Sequence, residues 1–146
     1  MAADLTDLFA ALYERYAQYV GERDAYTLTD GRFHRTLAPS PTVFPCIVLS
    51  LVGGDIKEMF SGDSLDTAFI QMSVFAKFEN DASGASAIMR SLIAIFNRSN
   101  LWIPEDECFV SILRNGYQRE IVENRTHIHI SQDWAIVRQI PIGRPE

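Results

Sequence analysis

The stretch from Asp66 to Asn97 constrains the fold most, because its hydrophobic period changes part of the way along. In its first part apolar side chains occupy alternate positions, which predicts a strand with one face buried in a core. After a polar break at Glu79–Asp81 they recur at helical spacing. A strand followed by an amphipathic helix predicts a two-layer unit of helix on sheet. The residues that define the two periods are Ala68, Ile70, Met72, Val74, Ala76 and Phe78, then Ala82, Ala85, Ile88, Met89, Leu92, Ile93 and Phe96.

A second helix is predicted from about Asp4 to Val20, where one stripe of side chains is apolar. Asp4 is a suitable N-cap for it and Gly21 a suitable residue to end it. The nearly continuous apolar run Cys46–Val52 predicts another strand, which Pro45 restricts to beginning after the proline or lying at a sheet edge.

The dipeptide Asp30-Gly31 lies between two short alternating runs, and such a dipeptide is a strong signal for a two-residue hairpin. In that hairpin Leu28 would pair with Phe33. An irregular loop that leads into one strand fits the same residues equally well.

The remaining residues complete an α+β fold, with a mixed or antiparallel sheet and two main helices packed on one face. We expect residues 1–146 to form a single domain with a polar tail at about 141–146. The expected features are a turn closed by Leu101–Pro104, a strand Phe109–Leu113, a bulge or turn at Arg114–Gly116, an extended segment Arg119–Glu123, and a last strand from Thr126 to about Ile140, bent near Gln132-Asp133.

A net charge of −6 and a pI near 5.0 argue against a nucleic-acid-binding face, which needs clustered Lys and Arg. The amino terminus lacks the basic and apolar regions of a signal peptide, and no apolar run reaches membrane-spanning length. We therefore expect Cys46 and Cys108 to be reduced thiols, with Cys46 a small core residue.

His127 and His129 have the spacing at which two imidazoles point to the same side of a strand, and His34 is a conceivable third ligand. A zinc site needs three or four ligands and a supporting shell, which the sequence does not place. The preferred interpretation is structural, with no cofactor. A small metal-dependent enzyme built on His127 and His129 is the less favoured alternative.

Residues 37–54 carry Ala-Pro, a short polar spacer, then Pro and an aliphatic strand. This pattern resembles the tail-terminator, or tail-completion, proteins of long-tailed bacteriophages and their gene-transfer-agent relatives. The resemblance continues through the strand near Ile70–Ala76 and the helix near Ala82–Asn97, and covers most of residues 1–140. The sequence departs from the pattern at Cys46, where an aromatic residue is frequent, and at Asp30-Gly31.

The resemblance implies a structural protein rather than an enzyme, located in the tail or neck of a virion assembled in the bacterial cytoplasm. Its subunits would form a homohexameric ring that caps the tail tube, ends tube polymerisation and binds the head–tail connector. DNA would pass through the lumen without specific binding, which suits the acidic chain. The rival class is an interaction adaptor that does not form a ring and binds a peptide at a sheet edge.

The segment Asp55–Leu65 is long for a connection between strands, and long loops are usually functional or mobile. Its apolar pair Met59-Phe60 needs a partner surface. We expect an arm that reaches a neighbouring subunit or the tube, with the acidic groups available to the lumen. The predicted interface residues are Asp55, Lys57, Glu58, Met59, Phe60 and Asp63.

Overall fold

The computed structural model describes residues 5–53, 67–77, 82–104, 107–123 and 127–138. Within them an α+β fold is present, as the sequence predicts. In chain order its elements are helix α1 (Leu5–Ala17), helix α2 (Ala25–Thr29), strand β1 (Phe33–Arg35), strand β2 (Cys46–Gly53), strand β3 (Thr67–Lys77), helix α3 (Ala82–Phe96), strand β4 (Ser99–Ile103), strand β5 (Cys108–Glu123) and strand β6 (His127–Arg138).

The described strands form one mixed sheet in the order β1-β2-β3-β6-β5-β4. β1 runs parallel to β2, and every other neighbouring pair is antiparallel. The ladder between β3 and β6 lies at the centre and runs without a register shift from Thr67 opposite Val137 to Lys77 opposite His127. β3, the strand predicted from the alternating apolar residues after Asp66, therefore lies in the middle of the sheet.

One face of the sheet packs against the helices and forms the core. The alternating residues predicted for β3 are buried there from Ala68 to Ala76, and Phe78 lies outside the described residues. The apolar stripe of α3 from Ala85 to Phe96 is buried as well, with Ile93 partly buried. The opposite face of the sheet is called here the outer face. The core residues from the central strands and α3 are Ala68, Ile70, Met72, Val74, Ala76, Ala85, Ile88, Met89, Leu92, Ile95, Phe96, Ile128, Ile130, Trp134 and Ile136.

Aromatic packing attaches β1 to α1. The ring of Phe33 lies 4.9 Å from that of Tyr16 and 5.5 Å from that of Phe9, measured between centroids. The hydroxyls of Tyr16 and Thr29 are hydrogen-bonded, so a buried phenol has a polar partner. Burial raises the pKa of Tyr16 to about 12, which keeps this phenol protonated.

The predicted hairpin at Asp30-Gly31 is wrong, because helix α2 precedes the dipeptide. In the alternative, the irregular loop is replaced by this helix, but the single strand that follows is present as β1. Asp30 is the C-cap of α2 in the left-handed conformation, at φ 52° and ψ 42°. Gly31, at φ 72°, donates its N–H to the carbonyl of Tyr26 at 2.9 Å. A residue pair suited to positive φ can end a helix as well as turn a hairpin. β1 consequently runs parallel to β2 rather than pairing with the segment before it.

The carboxyl end of α1 differs from the one predicted. Asp4 lies outside the described residues, and the helix ends at Ala17, short of Val20. Gly21 does not follow the helix directly. Its N–H donates to Oδ2 of Asp24 at 2.8 Å, in the turn that leads into α2.

Two further differences concern the carboxyl half of the chain. The segment that includes Leu101–Pro104 contains a strand, β4, rather than only a turn. The predicted strand Phe109–Leu113 and extended segment Arg119–Glu123 are parts of the single strand β5. The bulge predicted between them is confirmed, since the pairing with β6 shifts register between Asn115 and Arg119.

Truncation of Leu92 to alanine should lower the free energy of unfolding by roughly 2–5 kcal/mol, because it leaves a cavity in a fully buried site. The matched control, Leu37→Ala, removes the same atoms from a side chain that is 80% exposed and should change stability by about 0.5 kcal/mol or less. Urea denaturation measures both. Similar losses for the two variants would contradict the assigned core.

Gly31→Ala should destabilise the fold more than Gly116→Ala. Both glycines have left-handed backbone, at φ 72° and φ 80°, so each substitution costs roughly 1 kcal/mol of strain. A Cβ on Gly31 would also lie 3.3 Å from the ring of Tyr26, whereas one on Gly116 has nothing within 4 Å among the described residues. Thermal melting compares the pair. Equal shifts would show that Tyr26 moves aside freely.

Candidate interaction surface

The interface residues predicted from sequence, namely Asp55, Lys57, Glu58, Met59, Phe60 and Asp63, lie outside the described residues. The two strands that the connection joins are described by the structure. It leaves the sheet at Gly53 and returns at Thr67, on the neighbouring antiparallel strands β2 and β3. The predicted arm therefore starts and ends at one end of the sheet, and its contacts stay a prediction.

At that same end, large apolar side chains lie exposed on the outer face. Trp102 on β4 stands opposite Phe109 on β5, with their ring centroids 5.0 Å apart. Both rings are about half exposed, at 47% and 48%. The row continues through Leu113, Ala135 and Phe69, which are aligned across three strands. We call this set the apolar band; its members are Phe69, Trp102, Phe109, Leu113, Ala135 and Val137.

Polar groups occupy the middle of the outer face. Oδ1 of Asp133 accepts a hydrogen bond from Nε2 of Gln71 at 3.1 Å and lies 3.3 Å from the guanidinium of Arg119. These contacts tie β3, β6 and β5 together in the row next to the bulge. Asp133 is therefore engaged within the sheet.

On the helix-bearing face of the sheet, the buried side-chain amide of Gln132 stabilises the bulge in β5. Gln132 is fully buried, and its Nε2 donates to the carbonyl of Gly116 at 3.1 Å. Its Oε1 accepts from the Nε and a terminal nitrogen of Arg114, at 3.3 and 3.2 Å. The sequence predicted a bend of the last strand at Gln132-Asp133, but β6 pairs with β3 without interruption there. The irregularity belongs to β5, and Gln132 stabilises it.

The far end of the outer face carries the two histidines. His127 and His129 are on the same face of β6, as predicted, and each packs against an aromatic ring. The His129 ring stacks on that of Phe75 at 4.3 Å, and the His127 ring lies 4.5 Å from that of Phe44. His34 lies on β1, with strands β2 and β3 between it and β6. Among the described residues no group of three His, Cys, Asp or Glu side chains could hold a metal ion.

Residues 36–45 pass over this end and form one wall of an open cavity of about 460 Å³ against β2, β3 and β6. Cys46 lines it and is buried, as predicted, although it faces the outer side of the sheet rather than the helices. Burial raises the pKa of the Cys46 thiol, which keeps it in the unreactive protonated form. The side chain of Cys108 lies outside what the structure describes.

The second half of β5 forms an edge of the sheet. β4 pairs only with residues 108–112 of β5, and on the side of residues 117–123 that faces away from β6 the structure describes no strand. Side chains on both of its faces are exposed: Tyr117 by 95%, Ile121 by 49% and Val122 by 47%. We call residues 117–123 the open edge. A long edge with exposed apolar groups is a template for pairing with another chain. The sequence predicted an extended segment here but gave no signal that it lies at an edge.

The fold matches that of a chain in a solved virion of a native gene transfer agent particle. The match has a TM-score of 0.67, covers 90% of this chain and 93% of that chain, and has 13% sequence identity. At this identity the likeness establishes a shared fold. No family model matches the sequence, and no curated protein is detectably similar to it. No helix within the described ranges is long and apolar enough to span a membrane.

The two tryptophans give a direct test of the apolar band. Trp134 is fully buried and Trp102 is half exposed. In the Trp134→Phe variant we expect red-shifted emission that acrylamide quenches strongly, and in Trp102→Phe blue-shifted emission that it quenches weakly, because only Trp102 contacts water. Equal quenching of the two variants in the free subunit would contradict the exposed band.

Proposed function

We propose that this protein is a structural component of a virion, and specifically a tail terminator. In this role it forms a homohexameric ring that caps the tail tube, ends tube polymerisation and joins the tail to the head–tail connector. The observation that carries the proposal is the likeness in fold, over 90% of the chain, to a chain of a gene transfer agent virion. The sequence pattern at residues 37–54 independently resembles the terminator family.

The distribution of exposed apolar groups supports an assembly role. The apolar band lies on a sheet face that carries no described helix, and the open edge exposes apolar side chains on both of its faces. Surfaces of this kind mark interaction sites, because isolated subunits rarely leave contiguous apolar groups in water. A protein with several such surfaces suits a position between a neighbouring subunit, the tube and the connector.

The predicted arm Asp55–Leu65 is assigned to the ring or tube contact. It leaves the sheet next to Phe69, a member of the apolar band, so Met59 and Phe60 can extend that apolar surface onto a neighbour. Asp55, Glu58 and Asp63 then face the lumen, beside Lys57. An acidic lumen lets DNA pass without holding it, which agrees with the net charge of −6.

The mass of the purified protein, measured by light scattering and followed by negative-stain imaging, tests the ring. We expect a mass near six subunits and annular particles, either for the free protein or after addition of tail-tube protein. A subunit that stays monomeric and unbound in the presence of the tube protein would contradict the proposal. That result would favour the adaptor, which binds a partner without forming a ring.

The double variant Met59→Ala/Phe60→Ala should reduce ring formation and tail capping, because it removes the apolar contact of the arm. Leu37→Ala/Val43→Ala is a matched control, since it truncates two exposed apolar residues of the segment that covers the cavity. In a tail-assembly assay the control should cap tubes normally. If the arm variant also assembles and caps normally, the arm is wrongly assigned.

A further inference from the structure

The sheet has two free sides among the described strands, and they differ in form. On one side β1 is the last strand, three residues long and attached to α1 through Phe33. On the other side, beyond the end of β4, lies the open edge of β5. A ring needs two different surfaces on each subunit, so that the second surface of one copy meets the first surface of the next.

The two sides carry opposite charges on the same face of the sheet. Glu120 stands opposite Ile130, whose side chain is in the core, so Glu120 is on the helix-bearing face. Arg35 stands opposite Leu49, which is also in the core, so Arg35 is on that face too. Both Glu120 and Arg35 are exposed. In a sheet continued from one copy to the next, these two side chains become neighbours.

Arg119 is next to Glu120 in sequence but lies on the outer face, where it is paired with Asp133 inside its own subunit at 3.3 Å. It is therefore not the charge that a neighbour meets on the helix-bearing face. Arg35 donates to the hydroxyl of Thr6 at 2.7 Å, an exposed contact that leaves the guanidinium other donors. This contact holds Arg35 beside α1 without neutralising its charge.

We infer that the open edge of β5 in one subunit pairs with β1 of a second copy of this chain, with Glu120 facing Arg35 across the junction. The backbone of the edge pairs with the outward groups of β1 that are not already bonded within the subunit, where the N–H of Phe33 donates to the carbonyl of Gly31 and the carbonyl of Arg35 accepts from the N–H of Leu37. Val122 packs beside the ion pair on the same face. Ile121 is covered on the outer face. The inference rests on the proposed ring and names the contact that closes it.

The other way to cover the open edge is pairing with the same edge of a second copy. That arrangement is symmetric about a two-fold axis and uses one surface twice, so it forms a closed dimer rather than a ring. With Glu120 at the axis, it also places two like charges opposite each other. The charge pattern therefore favours β1 as the occupant.

Charge reversal tests the junction. Glu120→Arg and Arg35→Glu should each raise the protein concentration needed for half assembly by about tenfold or more, because each places like charges at the junction. The double variant Glu120→Arg/Arg35→Glu should return toward the wild-type value, since the pair is restored with reversed sign. Glu22→Arg and Arg23→Glu reverse exposed charges outside the sheet and should leave assembly unchanged.

Disulfide trapping distinguishes the two arrangements. In a background with Cys46→Ala and Cys108→Ala, the variant Arg35→Cys/Glu120→Cys should give, on oxidation, a ladder of linked chains up to six subunits. Glu120→Cys alone should remain unlinked. Linked dimers of Glu120→Cys would overturn the inference in favour of the two-fold pairing.

The outcomes also separate this inference from the proposed function. If rings form but the charge reversals have no effect and no ladder appears, the junction is elsewhere and the ring still stands. If the wild-type protein forms no ring at any concentration or with tube protein, both the terminator assignment and the junction fail.

Discussion

The ladder between β3 and β6 is the interaction on which the rest of the structure depends. It joins two strands at the centre of the sheet without a register shift, and each strand turns one set of alternating side chains toward α3. A slip of one residue would turn every core side chain of a strand to the outer face. The buried residues on both strands, Ile70 opposite Trp134 among them, therefore hold the register.

The hydrophobic core lies between the helices and the helix-bearing face of the sheet. The side chains of the outer face therefore make other contacts. Its central row is satisfied internally, where Asp133 binds Gln71 and Arg119. The apolar band is not covered by the described helices. The core thus uses one side of the sheet, and the apolar band on the other side and the edge of β5 are the surfaces that we propose for assembly with further chains. The proposed role, a ring subunit between a tube and a connector, requires this division of surfaces.

The parts of the fold that follow from short-range patterns could be predicted from the sequence. β3 and α3 each show their own period over more than ten residues. The hairpin prediction at Asp30-Gly31 is wrong because the same two residues suit both a hairpin turn and the end of a helix. Packing of the rings of Tyr16, Tyr26 and Phe33 favours the helix, and a local sequence pattern does not show this packing. β4 was missed because it has only five residues, too few to show a period before Pro104.

Strand order was beyond the reach of sequence patterns, and so were the features that depend on it. The apolar band combines residues of β3, β4, β5 and β6 that are far apart in the chain. The open edge arises because β4 is much shorter than β5. The role of Gln132 likewise depends on the bulge opposite it, since a glutamine in a strand gives no sign of being buried.

Hydrogen exchange of the backbone amides, compared between the free subunit and the assembled particle, tests the central claim most directly. We predict that the amides of residues 117–123 and of β1 that face away from β6 and β2 exchange quickly in the subunit and become protected together on assembly, while the amides of β3 and α3 are protected throughout. Rapid exchange at residues 117–123 in an assembled ring would contradict it, because that edge would then still face water.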